Sequence, residues 1–140
     1  MASGRNQITI IMRGLDRYVA DQVRDLGLEI TANLQEKTPV DIRWAASNWI
    51  PQIGAPVRIV HDGKPTPGTV TVAMARQAQG VASLSRYRSI AQGSIFVSNN
   101  VPYIRRLNEG WSKQAPSGFV QIEIKRAIRT VKARWRGYRS

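Results

Sequence analysis

The strongest constraint in this chain is the stretch from Asp16 to Lys37, in which Val19, Val23, Leu26, Ile30 and Leu34 recur at steps of four and three. That spacing lines apolar side chains along one side of a helix and does not suit a strand, whose faces alternate at every second residue. The other side of the helix is polar and mostly acidic. Asp16, Asp21 and Asp25 fall in its first half, where carboxylates suit a helix N-terminus, and Pro39 closes it just after Lys37 and Thr38. Residues 1–14 ahead of it are expected to form an N-terminal arm.

Beyond this helix the pattern shortens. From Ile42 to Gly68, seven prolines and glycines (Pro51, Gly54, Pro56, Gly63, Pro65, Pro67 and Gly68) cut the chain into short apolar runs, the punctuation of strands and loops. Trp44 and Trp49 are expected to help fill the core there. Val57–Val60 and Thr69–Ala73 flank an Asp62-Gly63 pair, which predicts a hairpin or a longer excursion between two strands. Met74–Ile90 reads as a second helix interrupted near Gly80. Ser94–Ser98 reads as a compact strand closed by Asn99-Asn100, and Pro102–Asn108 as a helical turn leading to Gly110. The stretch from Phe119 to Trp135 sets Val120, Ile124, Ala127 or Ile128, Val131 and Trp135 on one helical face, although its first residues also alternate as a strand would. Amphipathic helices with short strands between them make an α+β chain, with no internal repeat and no second-domain boundary.

The chain has 140 residues, enough for one domain that buries roughly two-thirds of its unfolded surface without staples. It has no cysteine, which excludes disulfides, thiolate metal sites and cysteine nucleophiles. The apolar run Ile8–Met12, broken by Thr9, is far short of a signal segment or a membrane span, so neither secretion nor membrane insertion is expected.

Charge is the loudest compositional signal. The formal net charge is +12, yet residues 1–41 hold five basic and six acidic side chains, leaving sixteen basic and three acidic for the rest. Such an asymmetry calls for a polyanion or an acidic protein surface nearby. It peaks in a basic patch of Lys125, Arg126, Arg129, Lys132, Arg134, Arg136 and Arg139, with Trp135 and Tyr138 interleaved and residues 134–140 expected as a basic tail. Phosphates could be met there nonspecifically, with aromatic rings stacking on exposed bases. No motif that reads base sequence is present.

Catalysis finds little to work with. Six of the nine acidic residues lie within residues 16–41, His61 is the only histidine, and no phosphate-cradling glycine loop or nucleophile elbow occurs. Glu109, with Glu123 and Asp41 as its available partners, is better read as an ion pair with Arg105 four residues earlier. Neither enzymatic activity nor a metal or cofactor is expected.

Two segments carry a resemblance. The first is Thr38-Pro39-Val40-Asp41 followed by Ala45-Ala46-Ser47-Asn48-Trp49. The second runs from Val97-Ser98-Asn99-Asn100-Val101-Pro102-Tyr103 through Glu109-Gly110 to Gln114-Ala115-Pro116-Ser117-Gly118-Phe119-Val120. In order and spacing the chain resembles the tail-completion, or head-tail joining, family of tailed bacteriophages; Ile42 and Arg43 stand where that family has Thr-Gly. The resemblance implies a long helix and a C-terminal helix packed on a small antiparallel sheet, and a non-enzymatic structural protein of the virion neck, assembled in the host cytoplasm. It implies a ring, usually six-fold, joining tail to DNA-filled head between a head-side connector or stopper protein and a tail terminator or tail tube protein. Trp49, Tyr103, Arg105, Glu109, Trp111 and Gln114 are the candidate subunit or partner contacts. The alternative reading is a small basic protein that binds nucleic acid nonspecifically, its C-terminal arm supplying the affinity.

Overall fold

The computed structural model describes residues 4–39, 43–62 and 70–136. Helix α1 spans Gly4–Lys37, so it starts well before Asp16 and the expected arm is helical from Gly4 onward. From Gln7 to Leu15 no proline or turn cluster interrupts the chain, and neither the β-branched Ile8, Thr9, Ile10 and Ile11 nor Gly14 stops the helix. The aspartates therefore do not serve the N-terminus of α1. Arg24 gathers two of them, Asp21 at 2.9 Å and Asp25 at 3.3 Å. At the other end the Thr38 hydroxyl turns back to donate to the Leu34 carbonyl, and Pro39 stops the helix as expected.

Helix α1 is the middle layer. One side meets a two-stranded antiparallel sheet, β1 (Ile50–Ile53) and β2 (Ile95–Ser98), with Ile50 opposite Ser98 and Ile53 opposite Ile95. Gly27 permits the close approach, because a Cβ there would stand 3.0 Å from the Leu84 side chain and 3.2 Å from that of Ile95. Ala20 and Thr31 are buried on the same side. The other side of α1 meets α5, Phe119–Arg136, which runs antiparallel to it from the Leu34 end towards Tyr18. The C-terminal stretch is thus a helix from its first residue. Its buried stripe is Phe119, Glu123, Ala127 and Val131, rotated from the expected face so that Val120 and Ile124 lie at its edge.

Between the strands the structure departs from the sequence reading. Val57–Val60 forms no strand, and Thr71–Leu84 is helix α3, so the expected hairpin is absent among the described residues; its tip, residues 63–69, lies outside them. The Asp62 carboxylate starts α3 from a distance, accepting the Val72 N–H at 3.2 Å and the Ala73 N–H at 2.7 Å, a cap that the sequence disguised as a hairpin turn. Nor does Gly80 interrupt this helix. It is where α3 crosses β1, and a Cβ there would collide with the Pro51 carbonyl. The helix ends at Leu84, and the chain then makes only a 3-10 turn, Ile90–Gln92.

That turn is tied to α1 by Asp16, which accepts from the Ser89 hydroxyl at 2.7 Å and the Ile90 N–H at 2.9 Å. The backbone bond first, and the hydroxyl second, hold its carboxyl below the ordinary carboxylate range. Beside it Tyr87 is buried and donates to the Gly93 carbonyl at 2.7 Å; burial, and then the nearby Asp16 charge, push its phenol up.

Two short helices complete the molecule, α2 (Trp44–Ser47) and α4 (Ile104–Asn108). Arg43 enters α2 in the left-handed conformation, φ 60° and ψ 4°. Asn108, at the end of α4, accepts the Val120 N–H with its side chain at 2.9 Å, while its carbonyl accepts the Gly118 N–H, and so anchors the first turn of α5.

A groove beside Trp111 and a basic row on the last helix

The six candidate contact residues separate into two groups. Trp49 is core: it is buried with Leu34, Ala115 and Phe119, and its indole N–H donates to the Thr38 hydroxyl at 2.7 Å. It cannot reach a partner, which corrects its assignment to an interface. Tyr103, Trp111 and Gln114 instead come together around a groove of about 430 Å³, with Arg43 and Lys113 supplying positive charge and Trp44 forming a wall. That wall is held in place, since Trp44 is buried, donates to the His61 carbonyl at 3.0 Å and packs against Tyr103 with ring centroids 5.6 Å apart.

Trp111 is the outlier. Its side chain is 71% exposed, the most exposed large apolar group in the described residues, and the Arg106 guanidinium stacks 5.0 Å from its ring centre. Gly110 aims it outward with φ 94°, a conformation that glycine adopts without strain. Arg105 and Glu109 are both exposed, and among the described residues they form no ion pair with each other. The spacing of four is right, and the Glu109 N–H still bonds the Arg105 carbonyl at 3.0 Å, but both side chains stand in solvent, where such a pair gains little.

The basic patch also divides. Arg126 binds the buried Glu123 of its own helix at 3.1 Å, and Arg134 binds Glu29 of α1 at 3.5 Å, so only the second pair ties α5 to α1. Lys125, Arg129, Lys132 and Arg136 follow one another at steps of four, three and four, directly opposite the buried stripe, and all four are exposed. They form a straight cationic row about 16 Å long at the rise of an α-helix. Arg139 and Tyr138 lie outside the described residues. His61 is half-buried, and its backbone is fixed through both its N–H and its carbonyl to Asn48.

Sequence reasoning missed Asn108, Asp62 and Asn48 as organisers, because each bonds backbone far along the chain. It also missed Glu123, whose place at i−3 from Arg126 was the available sign of a buried pair.

The arrangement is suited to holding an anionic or aromatic surface. Among the described residues there is no group of three or more His, Asp or Glu side chains that could hold a metal ion, and no helix is long and apolar enough to cross a membrane. Fold and surface together define an α+β protein with a cationic, aromatic-rimmed groove and a basic helix face. No protein-family model, no curated protein and no solved structure matches the chain.

Proposed function

We propose that the chain is a structural virion protein of a tailed-phage neck, a subunit of a ring that completes the tail and joins it to the DNA-filled head. The observation that carries this reading is that the two segments resembling the family are built into one another. Trp49 of the first, whose indole N–H donates to the Thr38 hydroxyl, shares a buried cluster with Ala115 and Phe119 of the second. The Asn99 side chain reaches the Ala45 carbonyl at 2.7 Å, and Val101 is buried against Trp44 and Ala45. The shared residues are therefore the ones that hold the subunit together, and the surface they leave uncovered is the groove lined by Arg43, Tyr103, Trp111, Lys113 and Gln114.

In this reading the work is mechanical. The groove receives an acidic segment of a neighbouring ring, repeated head-to-tail contacts close the circle, and six copies multiply the basic face into a strong field along the DNA channel. The test is electron microscopy of particles assembled with and without the protein. Accumulation of packed heads and finished tails that stay apart, with joining restored by added protein, is the expected result; normal joined virions in its absence overturn the reading.

The exposed row of Lys125, Arg129, Lys132 and Arg136 also favours a second reading, a free protein that binds nucleic acid nonspecifically through phosphates.

A further inference from the structure

The four exposed cations of α5 are set apart by what surrounds them. Lys125, Arg129, Lys132 and Arg136 stand opposite the buried stripe, and among the described residues none of them has an ion-pair partner. The one carboxylate of α5, Glu123, is buried on the other side of the helix and engaged by Arg126. Nor does an aromatic ring share their face. Phe119 is buried, and Trp135, which the sequence interleaves with the cations, is half-buried and packs edge-on against Tyr18 of α1 with ring centroids 5.3 Å apart. Among the described residues, α5 therefore shows solvent a straight line of positive charge with no ring beside it to stack on a base.

Building on the second reading above, we propose that this row is a docking face for the phosphate backbone of duplex DNA, and that it holds the duplex without stacking on its bases or reading them. Charge density separates the polyanions that compete for such a row. Over about 16 Å of axis a duplex presents about nine phosphates and a single strand about five. The duplex is also stiff on this length scale and lies against a fixed helix as it is. An acidic protein surface is the poorest fit, because the cores of protein interfaces are depleted of lysine and built round aromatic anchors, and this face has none.

Magnitudes decide between the two forms of DNA. Four cations that displace counterions give slopes of log affinity against log salt of about −3.6 on a duplex and about −2.8 on a single strand. Carried from about 1 M salt, where both contacts are screened, down to about 50 mM, that difference favours the duplex roughly 10-fold. Stacking would reverse it, since one stacked base strengthens single-strand binding roughly 5- to 150-fold. With Trp135 turned towards Tyr18, α5 has no ring to supply that gain, and the preference for duplex stands. Arg134, held by Glu29 of α1, lies outside the row and fixes the helix that presents it.

Fluorescence anisotropy tests it, with the full chain titrated at about 50 to 300 mM salt against a labelled duplex of about 20 base pairs, a single strand of the same length, and poly-glutamate of equal charge. The expected result is duplex binding that differs by no more than about twofold between unrelated sequences, with single-strand binding roughly 10-fold weaker at the lowest salt and poly-glutamate weaker than duplex. Combining Lys125→Gln, Arg129→Gln, Lys132→Gln and Arg136→Gln should cut duplex affinity at that salt at least roughly 100-fold, with circular dichroism and melting unchanged because all four side chains stand in solvent. A single strand bound as tightly as the duplex overturns the proposal and leaves nonspecific nucleic-acid binding standing. A four-glutamine variant that keeps its duplex affinity, strong preference for one sequence, or tighter binding of poly-glutamate than of duplex also overturns it. Failure to bind either form of DNA removes the second reading and the duplex face together. Virions that join normally without the protein bear on the neck reading alone.

Discussion

Arg43 sits in the left-handed region with φ 60°, where a side chain costs about 1 kcal/mol or more that glycine does not incur. The chain keeps a glycine-like backbone here and carries an arginine on it. Arg43→Gly is therefore expected to raise stability by about 0.5–1 kcal/mol, less than the full strain because glycine also loosens the unfolded chain. Chemical denaturation would show this as a higher midpoint at constant slope, and a lower midpoint would mean that the guanidinium holds the groove together. Asp16 makes a pH-dependent contribution of known sign. Its folded carboxyl titrates below the ordinary value, so the tether to Ser89 and Ile90 is complete above about pH 4 and is lost as pH falls through the depressed value. Asp16→Asn should speed hydrogen exchange at Ile90–Gln92 at neutral pH, and its difference from the wild-type chain should close in acid.

At the scale of elements, Gly80 decides between two opposed effects. In a free helix alanine is better than glycine by about 1 kcal/mol, but here the added methyl meets the Pro51 carbonyl and must push α3 off β1. Packing wins, so Gly80→Ala is expected to lower stability by about 1–3 kcal/mol in a thermal or denaturant melt, and a gain would mean that α3 slides freely on the strand. This glycine also shows what the sequence could and could not tell. Read locally it is a helix breaker; its purpose, a close crossing, depends on a strand nearly thirty residues away. Helices α1 and α5, strand β2 and the α4 turn were legible because their periodicity or punctuation is internal to each. Helix α3 was legible from Met74 to Leu84, but its start was not, since Val70-Thr71-Val72 has strand propensity and the carboxylate that starts the helix stands at Asp62. Of the candidate site, Tyr103, Trp111 and Gln114 were legible as a group through one segment. Arg43 joined them only through the fold, and Trp49 left them because burial is a property of the tertiary structure.

For the whole molecule, charge and connectivity matter most. If the α5 row meets phosphates, four cations set a ceiling of about −3.6 on the slope of log affinity against log salt for duplex DNA, and changing Lys125, Arg129, Lys132 and Arg136 to glutamine should flatten it to near zero. A steep slope surviving in that variant would place the contact elsewhere, with the cations of the Trp111 groove as the next to change. Connectivity has a different consequence. Helix α1 is the middle layer, yet the helix that covers one of its sides is encoded far downstream: the side chain of Asn33 bonds the backbone of Glu123, ninety residues later. At ordinary rates of translation α1 emerges from the ribosome roughly ten seconds before that partner does. For that interval a nascent helix with apolar flanks waits without its cover, so the yield of native protein depends on the order of synthesis as well as on the stability of the finished fold.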